Sequence, residues 1–458
     1  MATSAITPEC RALGWNVVFY CGRFPRKFAG IFQAEGSDLI TFRDVVDEMR
    51  LCFQFQAADT VISNNEFAHR NNAAADSDVS TGYWDDIVFA LMDRSDQSSI
   101  PNLINKDIYN TPVPSLAQLS SDTQDIIKYH VYIHRTCSLP VSSPLADHLR
   151  DQCAQHLSEP TRKHHPRYLP PNKSSRNSKI AAVPLRNKDG SHRAALAAAS
   201  GSEPANIVVP DDARMCRAYI TQRMTDFRDN CCMRSSSCAV SGEGEFWVEG
   251  RSIGPGVEAC HIVPQAQYHL YPTDQDPEAN RGPPDLSLSN LLTAWEKTWS
   301  ADNGIMLMKH LRYFFDLRLF SIHPDTHRMR SFVPYSPITR YNGKKARIHE
   351  DVDRNALQHH YDMCCIENMG ARIDFTSGSG PATLFAYPSE ISTPSSESGS
   401  TSRRSSEQQA AENQELLDKE DTIACHDRDF GYLTLKNSGA ALKYVDERLE
   451  AYRCQMSE

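Results

Sequence analysis

The chain has 458 residues, of which 40% are hydrophobic and 9% aromatic, enough for ordinary cores in more than one compact region. Its formal charge of −10 excludes the bulk electrostatic attraction that supplies most non-specific nucleic-acid affinity, so any such contact must come from a local basic surface or from a bound cation. No apolar run approaches the length of a membrane span.

From the N-terminus, TrpAsnValValPheTyr at 15–20 and PheAlaGlyIlePhe at 28–32 have strand length and strand patterning, with GlyArgPheProArg as the turn between them. Residues 38–53 place Phe42, Val45, Val46, Met49 and Phe53 at helical spacing, which gives a small α+β unit within an N-terminal region 1–150. Residues 118–136 read as another helix ending near Cys137. Over 151–210, and most clearly at 158–208, proline, serine and alanine with scattered Arg and Lys predict a disordered basic linker.

A helix over 212–229 leads into a third region, 211–372. There GluAlaCysHisIleValPro at 258–264 reads as a strand carrying His261, followed by a Pro- and Asp-rich loop at 271–285 and a helix at 287–299. Leu288, Leu291, Leu292, Trp295 and Trp299 keep helical spacing, and the two tryptophans read as core. AspAsnGly at 302–304 is a turn, and His310 falls between the core-spaced Leu307, Leu311, Phe314 and Phe315. LeuPheSerIle at 319–322 is a strand. Beyond it, 373–415 is Ser/Thr-rich and low in complexity, and 416–458 is a helical tail centred on 441–452. Fourteen cysteines show no regular spacing and the first ten residues lack a signal-peptide pattern, so an intracellular setting in nucleus or cytoplasm is expected.

A histidine, an asparagine and a second histidine in this order suit phosphodiester hydrolysis. The reaction needs a base to deprotonate water and a cation to neutralise charge growing on the phosphate, and neutral imidazole suits the first task near pH 7. His261 is the candidate base, Asn303 offers a carbonyl to orient it, and His310 is a candidate metal ligand. Each has a structural alternative: a hydrogen-bonded core histidine, a turn asparagine, and a solvated surface histidine or phosphate contact.

CysAlaValSerGly at 238–242, GluAlaCysHisIleValPro at 258–264, AsnGlyIle at 303–305, His310, PheAsp at 315–316 and LeuPheSerIle together resemble the HNH endonuclease family, in particular a branch found in fungal proteins, over roughly 212–340. The resemblance implies an α+β protein with a central ββα-metal core, one divalent ion (Mg, Mn, Zn or Ni), and nucleic acid, DNA before RNA, as partner. Two departures stand out. The position before the base, usually a metal-binding aspartate or histidine, is Cys260, a soft ligand compatible with zinc, and the paired CysXXCys knuckles of some members are missing around this core. Glu258 and Asp316 are candidate oxygen ligands to the same ion, Asp316 with the alternative of anchoring the chain's exit from its helix. Lys309, Arg312, Arg318, Arg328, Arg330, Arg340, Lys344, Lys345 and Arg347 are candidates for a basic surface. The expected function is a metal-dependent nuclease. Its rival is a catalytically inactive HNH-like fold kept for binding or scaffolding, with protein partners recruited through the disordered segments and the C-terminal helix.

Overall fold

In a computed structural model, residues 6–54, 84–92, 103–104, 109–113, 126–184 and 206–371 are described, apart from short interruptions at 141–142, 172, 176, 214, 249–252, 275 and 277–278. They belong to one compact unit, Met1–Ser377. The low-complexity segment and the C-terminal helix read from the sequence lie outside the described residues. Among those described, no helix is long and apolar enough to cross a membrane.

The N-terminal strands form where the patterning puts them, as β1 (Val17–Cys21) paired antiparallel with β2 (Arg26–Ile31). α2 (Phe42–Cys52) follows the short α1 (Pro8–Ala12). It starts at a capping box in which Thr41 Oγ1 accepts from Asp44 N–H while the Asp44 carboxylate accepts from Thr41 N–H. β3 (Ile87–Leu91) and β4 (Ile127–His134) complete the middle of a six-stranded sheet in the order β2-β1-β4-β3 and then the two-residue strand Leu103–Ile104. β4 runs parallel to β1 and antiparallel to β3.

β4 corrects the helix read over 118–136. IleIleLysTyrHisValTyrIle is rich in β-branched and aromatic residues, and Ile127, Tyr129 and Val131 alternate into the apolar core against Phe19, Phe89 and Met49. The remainder of that predicted helix, 118–125, is outside the described residues.

Much of the expected linker is also packed. α3 (Leu145–Arg150) leads to β5 (Ala154–His156), which pairs with the far end of β4. Arg167 is buried and donates to the carbonyls of Leu270, Tyr271 and Gly282, while β6 (Ile180–Pro184) pairs with β7 (Asn206–Pro210). Low hydrophobicity misleads here because polar side chains bonded to backbone carbonyls hold the segment. Residues 185–205 are not described.

α4 (Arg217–Arg234), β8 (Val257–His261), α5 (Leu288–Thr298, capped by Ser287), β9 (Gly304–Met308) and α6 (Lys309–Asp316) build the third region. β8 and β9 are antiparallel, with His261 opposite Gly304 and Glu258 opposite Leu307. Both tryptophans are buried, as expected. A hairpin of β10 (Phe320–Ile322) and β11 (Met329–Ser331) follows.

The sequence reading missed α7 (Arg354–Met369), which joins the two ends of the unit. Ala356 and Leu357 enter the core of the third region, whereas Met363, Ile366 and Met369 enter the core beneath the N-terminal sheet. Arg330 from β11 and Glu48 from α2 form a buried ion pair across the same junction, with Arg330 Nη2 to Glu48 Oε2 at 3.1 Å. The N-terminal and third regions therefore have separate cores joined through α7 and the Arg330–Glu48 pair.

Candidate functional site

β8 is the axis of the site, and its two faces carry different chemistry. Glu258 and Cys260 point to α6, while His261 lies toward α4 and α5. A cavity of about 690 Å³ wraps past the strand and is lined by residues that include Glu258, His261, Arg312, Asp316, Phe227 and Trp299. Its size is ordinary for a ligand site.

The His261 ring meets the edges of Phe227 and Trp299 at centroid distances of 4.0 and 4.8 Å, both near 88°. Gly304 makes this clamp possible, since a Cβ there would lie 2.3 Å from Cys231 Sγ and 3.0 Å from Phe227 and would push α4 away. Burial, and then the positive charge of Arg312, pull the His261 pKa down to about 3, although part of the side chain still opens onto the cavity. The imidazole is neutral at physiological pH.

Three candidate ligands do converge, but on a guanidinium. Arg312 Nη1 lies 2.8 Å from Glu258 Oε2, and its Nε lies 3.7 Å from Asp316 Oδ2. Cys260 is fully buried, with its Sγ 3.9 Å from Asp316 Oδ1. Burial, followed by the Asp316 charge, pushes the Cys260 thiol well above its ordinary range, so it stays protonated. Its recessed position raises Asp316 to about 6 even though 37% of that side chain reaches solvent, with Arg312 opposing the shift. Burial works against the Arg312 charge, yet the Asp316 and Glu258 carboxylates around it hold its pKa above the ordinary value.

His310 is not part of this group. It is exposed, its ring neighbours Phe314, and it does not line the cavity. Helical geometry is the reason: residues two apart differ by about 200° around the axis, so once Arg312 and Asp316 face β8, His310 must face away. The expectation that His310 and His261 share a site is thereby corrected.

Asn303 is also placed differently from expectation. It is fully buried, its Oδ1 accepts from Val263 N–H at 2.9 Å, and its Nδ2 donates to the carbonyls of Val263 and Thr298 at 3.0 Å each. Its carbonyl is committed to backbone, so Asn303 pins the turn after His261 instead of orienting the ring. It does not adopt the positive φ of the turn alternative either.

The donor set does not fit a divalent ion. An ion bound by Glu258 and Asp316 would compete with a guanidinium already ion-paired to both, Cys260 offers a thiol in place of a thiolate, and His310 is on another face. The sequence reading placed Arg312 only among surface bases. The signal that could have found its role was the Arg312 to Asp316 spacing of four residues, which puts both on one helix face.

The expected basic surface is reduced as well. Arg318 is buried on Leu169 O, Glu367 and Gln267, Arg330 is paired with Glu48, and Arg328 with Asp38. Lys309 on α6 and Arg340, Lys344, Lys345 and Arg347 beyond β11 are exposed.

No curated protein matches this chain. Residues 238–323, which contain β8, α5, β9, α6 and β10, match the family model described as HNH endonuclease, so the chain carries a domain of the HNH endonuclease family.

Proposed function

We propose that residues 238–323 form an HNH-type domain that engages the phosphodiester backbone of nucleic acid without metal-dependent hydrolysis. The observation that carries this reading is Arg312, whose guanidinium is ion-paired to Glu258 and Asp316 where a divalent ion would have to be held. The family is one of nucleases, which makes a nucleic acid the natural ligand. Lys173 and Arg228 line the cavity beside Arg312, and the exposed Arg340, Lys344, Lys345 and Arg347 supply positive charge on one loop, as a local contact on an acidic chain requires.

One observation favours a second reading, the nuclease itself with His261 as base. The imidazole is neutral and opens onto the same cavity as Arg312, so it could accept a proton from water beside a bound phosphate. One experiment separates the two. The full chain is assayed for binding to labelled DNA and RNA across a salt series, and for plasmid nicking with Mg, Mn, Zn or Ni. The first reading expects salt-dependent binding, weakened in Lys344→Ala/Lys345→Ala/Arg347→Ala, with no nicking. Divalent-dependent nicking that vanishes in a folded His261→Ala variant overturns it and establishes the second.

A further inference from the structure

Away from the HNH-type domain, the end of β4 and the turns around α3 gather two imidazoles and two thiols. His134, Cys137, His148 and Cys153 each present one donor atom, and all four atoms lie within 4.8 Å of one another. Cys137 Sγ is 3.4 Å from His134 Nε2 and 3.6 Å from His148 Nδ1, and His148 Nδ1 is 3.3 Å from Cys153 Sγ. A tetrahedral zinc ion with Zn–N near 2.0–2.1 Å and Zn–S near 2.3 Å sets a neighbouring nitrogen and sulfur about 3.5 Å apart, and the three nitrogen–sulfur distances fall within about 0.3 Å of that spacing. The His134 and His148 rings are orthogonal, 89° apart with centroids at 4.9 Å, as two imidazoles radiating from one point can be. Neither cysteine is in a disulfide.

The backbone holds these four side chains in place. His134 ends β4 directly opposite Ala154 of β5, so Cys153 comes next to it in the ladder, and Arg135 N–H donates to Cys153 O at 2.9 Å. α3 presents His148, and Gln152, at φ 60°, turns the chain back so that Cys153 Sγ meets His148. His148 and Cys153 are buried, while His134 and Cys137 are partly exposed and leave an entry side. A second observation concerns stability. Among the described residues, the apolar cluster on this outer face of the sheet has five buried members, Val88, Ala90, Tyr132, Leu145 and Ala154, with Leu149 packed against it, a small core for holding a six-residue helix.

We propose that His134, Cys137, His148 and Cys153 form a closed structural zinc site that fastens α3 and the β4–β5 end of the sheet. Two sulfur and two nitrogen donors select zinc over magnesium or manganese, and four protein ligands leave no position for a reacting water. The site is independent of the reading given to His261 and Arg312.

The test uses the full chain. Metal analysis of protein purified from zinc-supplemented cells should give one tightly held zinc per chain, retained in His310→Ala and His261→Ala and lost in Cys137→Ser/Cys153→Ser. Exchange with cobalt should give tetrahedral visible bands with thiolate charge transfer. Because the double variant could fail to fold, the wild-type protein carries a second readout. Alkylation mapped by mass spectrometry should modify the exposed Cys10 and Cys216 at once, and Cys137 and Cys153 only after a strong chelator is added. The proposal is overturned by metal-free wild-type protein, by zinc that the double serine variant retains, by alkylation of Cys137 indifferent to the chelator, or by a Cys137–Cys153 disulfide in freshly purified protein.

Discussion

Arg312 decides the chemistry of the site, because it converts a group of metal-ligand types into an internal ion cluster. Removing it leaves Glu258 and Asp316 facing the cavity without their cation. We expect Arg312→Ala to acquire a Mn²⁺ or Zn²⁺ site that the wild-type cluster lacks. Isothermal titration against wild type, both with Cys137 and Cys153 alkylated under chelation beforehand, would show it, and equal affinities would refute the assignment. Asn303 acts at the same scale through its three buried hydrogen bonds. In Asn303→Ala, Val263 N–H and two carbonyls lose their partner, so a loss of about 2–4 kcal/mol in urea unfolding is expected, since each buried unsatisfied group costs about 1–3 kcal/mol and the loop relaxes in part. A loss under 1 kcal/mol would show that the turn does not depend on this amide.

At the scale of elements, local pattern was legible where one face was apolar and the other wet. β1, β2, α2 and α5 came from alternation and helical spacing. β4 and α7 did not, for opposite reasons. β4 is a central strand whose two faces are both covered, so its mixed pattern also fits a short helix by spacing alone. α7 is buried nearly all round and carries His359, His360 and Asn368 inward, which erases the polar face that a sequence reader looks for. His360 is satisfied by Ser321 Oγ at 2.8 Å and stacks on Phe315 at 3.7 Å. Because α7 fills both cores, Leu357→Ala should cost about 2–5 kcal/mol and move the unfolding of both regions together in a single cooperative transition. Separate near-UV and far-UV midpoints would contradict the coupling of the two cores through α7.

For the whole molecule, buried neutral histidines set the acid limit. Burial lowers His165 to about 4, with nearby Lys163 and Arg167 adding to it, and burial alone takes His269 to about 4. Burial and the Arg318 charge take His360 to about 3. Each folded-state pKa lies below the unfolded value near 6.5, so the unfolded chain takes up protons first. The stability these groups contribute is present above about pH 6.5 and is lost as pH falls toward 4. Asp362, raised by burial to about 6, works the other way between about pH 6 and 4 and offsets part of the loss. Urea unfolding at pH 7.5 and pH 5 should therefore differ by on the order of a few kcal/mol in favour of pH 7.5, and equal midpoints would show that these rings are hydrated in the folded state.

The sequence by itself determined the family likeness, because His261, the Asn303 turn and the PheAsp end of α6 are local motifs in a fixed order, and the matched span 238–323 covers them. It also determined which residue types gather beside β8, since Glu258 and Cys260 alternate onto one strand face. Only the tertiary structure decided which face of α6 meets that strand. A rotation set by the packing of Leu311 and Phe315 brings Arg312 and Asp316 in and sends His310 out. The same holds for His134, Cys137, His148 and Cys153, whose spacing along the chain carries little signal until the β4–β5 ladder folds its two ends together. Motif order is a property of the chain, but the direction of a side chain at a site is fixed by what the opposite face of its element must bury.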